Sequence, residues 1–377
     1  MSAFAAHEPA ADPGGYFAQS SEDKALGLYR VIDDDGAVSP ATLAALGREK
    51  CLDLYRGMAT IRIMDARLMA LQRQGRIGFY GEALGQEAAV IGCAAALSSE
   101  DWLVPALREA GAGIYRGLPM SSYIAQLFGN AADVSRGRQL PCHPCDRNTH
   151  YVVMSSCVST QIPHAVGIAW GMKIRGEAAV CMGFMGDGGV SEPDFHYALN
   201  FAGVGKVPVV LVCQNNQWAI STPGERQTAA PTIAIKGLGY GVESLRADGN
   251  DVLAVYEVAR RAVDRARRER LPTFIELLTY RVSAHSSSDD PSRYRDESIT
   301  EMWKTERDPL ARMAAVLDGA GWLSGPDRKA MEAAIEADIR RIIAEQEAIA
   351  PPAPATLFDD VLETPTWLLR EQRASLP

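Results

Sequence analysis

Two short polar motifs hold the residue types best suited to chemistry. Gly186-Asp187-Gly188-Gly189 follows one apolar run, 178–185, and Asn215-Asn216 follows another, 209–213. A carboxylate and an amide oxygen are hard donors that suit magnesium, which takes few protein ligands and keeps places for phosphate oxygens. The glycines let backbone approach a bulky anion, and a helix beginning just beyond them points N–H groups at it. Magnesium diphosphate is the occupant these residues imply. Each motif alone also reads as turn chemistry after a strand; order, spacing and strand context together select the binding reading. His285 follows a strand end in a polar loop, and its imidazole titrates near working pH, as proton handling needs. Pro141-Cys142-His143-Pro144-Cys145, with His150 and Cys157 nearby, is open to zinc ligation, thiol exchange or plain loop packing. It lacks the second tight pair of a complete zinc pattern.

These residues need a frame. Between the two motifs the spacing predicts one helix, capped by Ser191 with Asp194 three residues on, and with Phe195, Ala198, Leu199 and Ala202 on one face. Strand, helix, strand is the crossover that parallel strands require. It brings Asp187 and Asn216, 29 positions apart, to the carboxyl ends of nearby strands, where open α/β sheets bind ligands. A last unit runs from a strand at 242–245 through a helix at 251–269 to a strand at 273–280. Helical patterns flank this core: Cys51, Leu54, Tyr55 and Met58 form a stripe within 41–74, and Met331, Ile335, Ile339 and Ile342 another near the end. The expected division is an N-terminal arm, poorly ordered, at 1–40, an α/β domain at 41–325, and a C-terminal helical extension at 326–377. The apolar tail, Leu357-Phe358 and Trp367-Leu368-Leu369, is expected to dock.

At 377 residues with 47% hydrophobic content the chain can bury a large core, and its net charge of -9 argues against nucleic acid as a partner. The arginines between 260 and 270 alternate with apolar residues at helical spacing and read as a solvated face. No apolar run is long enough for a membrane span. The first 29 residues hold one Lys and no Arg, unlike a transit peptide, and seven cysteines suit a reducing compartment. The expected location is cytoplasmic.

Gly186-Asp187-Gly188 with Asn215-Asn216 resembles the thiamine diphosphate motif. The surrounding text resembles the alpha chain of the first component of branched-chain 2-oxoacid dehydrogenase complexes. The similarity runs through Gly75 to Tyr80, Arg108-Glu109-Ala110-Gly111, Gly137 to Pro141, Thr160-Gln161-Ile162-Pro163, Trp218 to Thr222, Asp248 to Val252, Tyr280-Arg281 and His285 to Arg295. It covers roughly 45–375. The implied fold is the thiamine diphosphate-binding α/β fold, a parallel sheet flanked by helices, with helical N- and C-terminal extensions. The implied reaction is oxidative decarboxylation of a 2-oxo acid with acyl transfer to a lipoyl arm, the hard chemistry belonging to the cofactor.

The resemblance implies roles residue by residue. Asp187 and Asn216 hold magnesium through side chains and Trp218 through its carbonyl; Gly188 and Gly189 lie against the diphosphate, and Arg108 neutralises it. Val158 supports the bent cofactor, Ser156 and Ile220 face its pyrimidine, and His285 bonds cofactor and intermediates. Ser155, Cys157, Thr160 and Gln161 match a potassium loop. Arg281 and Asp289 order the 281–296 loop, and Ser286 matches a serine phosphorylated in animal relatives. Three positions depart from the family: Leu107 and Ala284 replace a tyrosine and a histidine, and Gln214 replaces the arginine of animal members. The implied assembly is an α2β2 heterotetramer, inactive without its beta chain, serving a lipoyl-bearing acyltransferase. Alternatives are a pyruvate or acetoin dehydrogenase alpha chain, and a non-catalytic scaffold with zinc or a partner at Cys142-Cys145.

Overall fold

A computed structural model describes residues 12–376 apart from 34 and 361. Five strands form one all-parallel sheet: β1 (Trp102–Val104), β2 (Cys181–Gly186), β3 (Val209–Asn215), β6 (Glu243–Asp248) and β7 (Thr273–Leu278), in the order β1-β2-β3-β7-β6. A small antiparallel hairpin, β4 (Trp218–Ala219) with β5 (Thr222–Pro223), follows β3. The expected parallel α/β architecture is what the chain adopts.

Both faces of the sheet are covered, so its strands read as continuous apolar runs. The period of two assigns the faces. Met182, Phe184, Val210 and Val212 point into the larger core, and Cys181, Met185, Val209, Leu211 and Cys213 into the smaller one. The helix Val252–Glu269 lies on the larger core. Its N-cap Asp251 accepts from the N–H groups of Leu253 and Ala254, and Val255, Val258, Ala259, Ala262 and Val263 are buried. Gly92, in the helix Glu87–Ala95, meets it so closely that a Cβ there would lie 2.7 Å from that of Val255. Helices Gln161–Arg175 and Pro193–Val204 cover the other face.

Three local expectations are corrected. The 41–74 region is two helices, Pro40–Leu46 and Arg48–Arg73, divided at Gly47, whose φ of 76° breaks the run. The helix after the first motif starts at Pro193, where a missing N–H costs nothing; a 3₁₀ turn, Asp187–Ser191, intervenes, and Ser191 bonds the carbonyl of Gln227 rather than capping. The supposed arm is packed where it is described. Tyr16 and Tyr29 are buried, the Tyr16 hydroxyl donates to the Lys24 carbonyl at 2.6 Å, and Asp251 accepts from the N–H groups of Val31 and Ile32 at 2.7 and 2.6 Å. Residues 1–11 of that expectation lie outside the described residues. In the tail, Trp367 is 69% exposed and Leu357 55%, while Arg138 donates to the carbonyls of Thr356 and, at 3.0 Å, Asp359. The helix Gly325–Glu347 packs, through Ile339, Ile342 and Ile343, into the same core as Arg48–Arg73.

Candidate active site

Parallel pairing puts Gly186 beside Gln214, so Asp187, one residue past Gly186, and Asn216, two past Gln214, emerge together at the carboxyl edge of the sheet. Both are buried, and both line a cavity of about 540 Å³. Arg108, Ser155, Ser156, Val158, Gln161, Gly188, Gly189, Trp218, Ile220 and His285 line the same cavity; Cys157 and Thr160 lie beside it in sequence without lining it. The loop after β7 is tied to this edge, because the N–H groups of Thr279 and Arg281 donate to the carbonyls of Asn215 and Asn216 at 2.9 and 3.3 Å.

The electrostatics favour a cation beside an anion. Burial pushes the Asp187 carboxyl up to about 6, opposed by the amide of Gln227 and then by the charge of Arg281, and no direct ion pair to it is present among the described residues. Asn216 Oδ1 accepts from the Trp218 N–H at 3.2 Å and keeps a further lone pair. Buried Arg108 donates to the carbonyls of Glu82 and, at 2.8 Å, His285; no ion pair to it is present among the described residues. Burial and the nearby Arg281 hold its guanidinium down to about 10, a cation that gains from any anion entering the cavity. Glycine is required at 188: a Cβ there would sit 2.6 Å from that of Ala219. These residues fit a magnesium diphosphate, a hard cation at the carboxylate and amide and an anion between the glycine turn and Arg108.

The apolar lining fits an organic ring. Val158 and Ile220 are 61% and 55% exposed, and Ile220 has a φ of 53°, a costly conformation for a β-branched residue. Its carbonyl accepts from Arg281 at 2.8 Å, which helps to hold it there. The His285 loop is fixed by Arg281 donating to Tyr294 at 2.7 Å, Tyr294 donating to Asp289, and Asp289 accepting from the His285 N–H at 2.8 Å. Burial, then the guanidiniums of Arg108 and Arg281, hold the imidazole down to about 4, so it stays neutral at working pH and acts as an acceptor. Ser286 is buried, its hydroxyl facing the Ser288 N–H.

The cysteine segment does not assemble into a metal centre. Among the described residues no group of three or more His, Cys, Asp or Glu is placed to hold a metal ion. Cys142 packs against Tyr123 and Phe79, and the His150 ring stacks on Trp102. His143, left open in sequence between loop packing and zinc ligation, lines the cavity with its Nε2 2.7 Å from Ser156 Oγ and Nδ1 3.1 Å from the Pro141 carbonyl. The zinc form of the scaffold alternative therefore has no ligand cluster among the described residues. Sequence reasoning also passed over Gln86, Glu109 and Gln227. Burial pushes the Glu109 carboxyl up to about 7, and it accepts from Gln214. Only the apolar text around Gln86 and Glu109 could have hinted at buried polar roles, and Gln227 reaches Asp187 across 40 positions with no local signal.

A model of the dehydrogenase E1 component family matches residues 55–355. The chain belongs to that family. The E1 chain is 38% identical to the 2-oxoisovalerate dehydrogenase subunit alpha 2, mitochondrial, of Arabidopsis thaliana, over 99% of its own length and 82% of the relative's. It is also 38% identical to the mitochondrial alpha subunits of that name from Homo sapiens and Dictyostelium discoideum. Those two alignments cover 96% and 92% of this chain, and 81% and 79% of the relatives. The E1 family depends on thiamine diphosphate, the cofactor implied by the sequence motif. The cytoplasmic expectation is overturned, since these relatives are mitochondrial proteins. The composition of the first 29 residues does not encode the compartment in which a packed E1 core works. No described helix is long and apolar enough to cross a membrane.

Proposed function

We propose that this E1 chain is the alpha subunit of a thiamine diphosphate-dependent 2-oxo acid dehydrogenase that decarboxylates a branched-chain 2-oxo acid and passes the acyl group to a lipoyl-bearing acyltransferase. The observation that carries the reading is the meeting of Asp187 and Asn216, at adjacent strand ends, with buried Arg108 in one cavity. Asp187, Asn216 and the Trp218 carbonyl would hold magnesium, with Gly188, Gly189 and Arg108 against the diphosphate. When bound, thiamine diphosphate supplies the carbanion that attacks the keto carbon and the electron sink that lets carbon dioxide leave.

The chain's own residues bind, orient and move protons. Val158 and Ile220 give the organic part of the cofactor an apolar support, and Ser156 presents its hydroxyl beside it. Neutral His285 accepts a hydrogen bond or proton at the cavity mouth. Phe79, Leu107, Leu140 and Met154 add an apolar wall, which favours an aliphatic 2-oxo acid. Gln161 Oε1 is buried without a partner, which supports potassium there, with Ser155, Cys157 and Thr160 offering further oxygens. The cavity is half-open and its apolar pair exposed, consistent with completion by a beta chain in an α2β2 heterotetramer.

Titrating thiamine diphosphate and magnesium into the chain coexpressed with its beta partner tests this reading by calorimetry. Binding that is lost in Asp187→Ala is the expected result; no binding in the unaltered complex would overturn it. A panel of branched-chain 2-oxo acids, pyruvate and acetoin with a dye acceptor then ranks the substrates, with the branched acids expected first.

A further inference from the structure

A magnesium ion accepts the oxygen of an asparagine amide but not its nitrogen, and it needs a carboxylate oxygen that no other group has saturated. Something must therefore choose which end of Asn216 and which oxygen of Asp187 faces the cavity. Asn216 Nδ2 donates to Gln86 Oε1 at 3.1 Å, which turns its Oδ1 the other way. Gln86 is fully buried at the N-cap of the helix Glu87–Ala95, so its position is set by the fold. Asp187 Oδ2 accepts from Gln227 Nε2 at 3.0 Å. The same Nε2 donates to the Thr222 carbonyl at 3.2 Å, so both of its hydrogens are used and the amide is pinned as a donor. Gln227 also sits over the glycine turn, its Oε1 3.5 Å from where a Cβ on Gly188 would stand.

We propose that Gln86 and Gln227 are positioning residues for the divalent cation, each fixing one metal ligand so that Asn216 Oδ1 and the Asp187 carboxylate keep a lone pair turned toward the cavity. The inference rests on the magnesium reading above. Neutral amides suit the task, because a lysine or arginine at either place would offset the carboxylate charge that draws the cation. Gln86 has a second feature. Its Nε2 is buried without a partner, a donor left for an oxygen that the chain does not supply.

Manganese, read by electron paramagnetic resonance, is the probe, titrated into the assembled complex with and without thiamine diphosphate. Outer partners of metal ligands are worth about 10–100-fold in metal affinity. Gln227→Met and Gln86→Met should weaken manganese binding by about that factor. Gln86→Glu keeps the acceptor for Asn216 and should stay within about threefold of the unaltered complex, a rescue that a merely space-filling role would not give. Manganese affinity unchanged in both methionine variants overturns the proposal while leaving the magnesium reading intact. No manganese binding in the unaltered complex overturns both. Gln227 is half-buried at the rim, so its variant decides the matter even where Gln86→Met fails to assemble.

Discussion

At the scale of single residues, the site sets the protonation of His285. An imidazole held at about 4 is neutral across the working range, so an acidic limb of kcat/KM near 6.5 is not expected from His285. His285→Ala should lower turnover by about 10²–10⁴-fold, the usual worth of positioned proton transfer, measured with the complete complex. The cause of the shift is also testable. Arg108→Met removes a buried cation that helps depress the imidazole, so the His285 pKa should rise toward its ordinary value in a histidine NMR titration, while thiamine diphosphate binding weakens. An unmoved His285 resonance would show that burial and Arg281 account for the depression without Arg108.

The legibility of the site in the sequence also divides by residue. Asp187 and Asn216 could be read because each ends an apolar strand run, and strand ends are where such folds place chemistry. Val158 and Ile220 could not: an exposed valine and a left-handed isoleucine carry no local signature, and only the resemblance marked them. The neighbours of His143 in sequence left only loop packing, thiol exchange or zinc open, because its partner at the cavity, Ser156, lies 13 positions on.

At the scale of elements, close approach decides which glycines matter. Gly92→Ala would force a Cβ against Val255 between two buried helices and should cost about 1–3 kcal/mol, read as a lower midpoint in denaturant or heat. Gly188→Ala meets Ala219 at the hairpin instead. It should weaken cofactor binding while leaving the unfolding midpoint nearly unchanged, and a large loss of stability would show that the hairpin is part of the core. Helix Val252–Glu269 was legible from its Asp251 cap and its one-sided apolar pattern. Residues 12–40 were not, because short turns carry no sustained period and their order comes from contacts with Arg246 and Asp251 more than 200 positions away.

For the whole molecule, buried acids set the response to pH. Burial pushes Asp65 and Glu109 up to about 7 and Asp187 and Asp251 up to about 6. Unfolded, such groups ionise near 4, so between those values the native state binds more protons and stability falls as pH rises. His285 acts oppositely: unfolded imidazole protonates near 6.5 but the folded one resists until about 4, so its term falls as pH drops through that window. Four raised acids against the depressed imidazoles of His285 and His196 predict a cofactor-free complex with a lower thermal midpoint at pH 8 than at pH 5. A midpoint that rises over that range would mean these carboxyls are ionised in the native state.

Val158 and Ile220, apolar and largely uncovered at the mouth of the cavity, have a thermodynamic consequence. If a second chain closes over them, every factor by which assembly tightens the cofactor is returned as the same factor by which the cofactor tightens assembly. Thiamine diphosphate then acts as a linker as much as a reagent. Cofactor shortage would loosen the quaternary structure in proportion, and dilution of the subunits would release the cofactor before any residue in the site had changed.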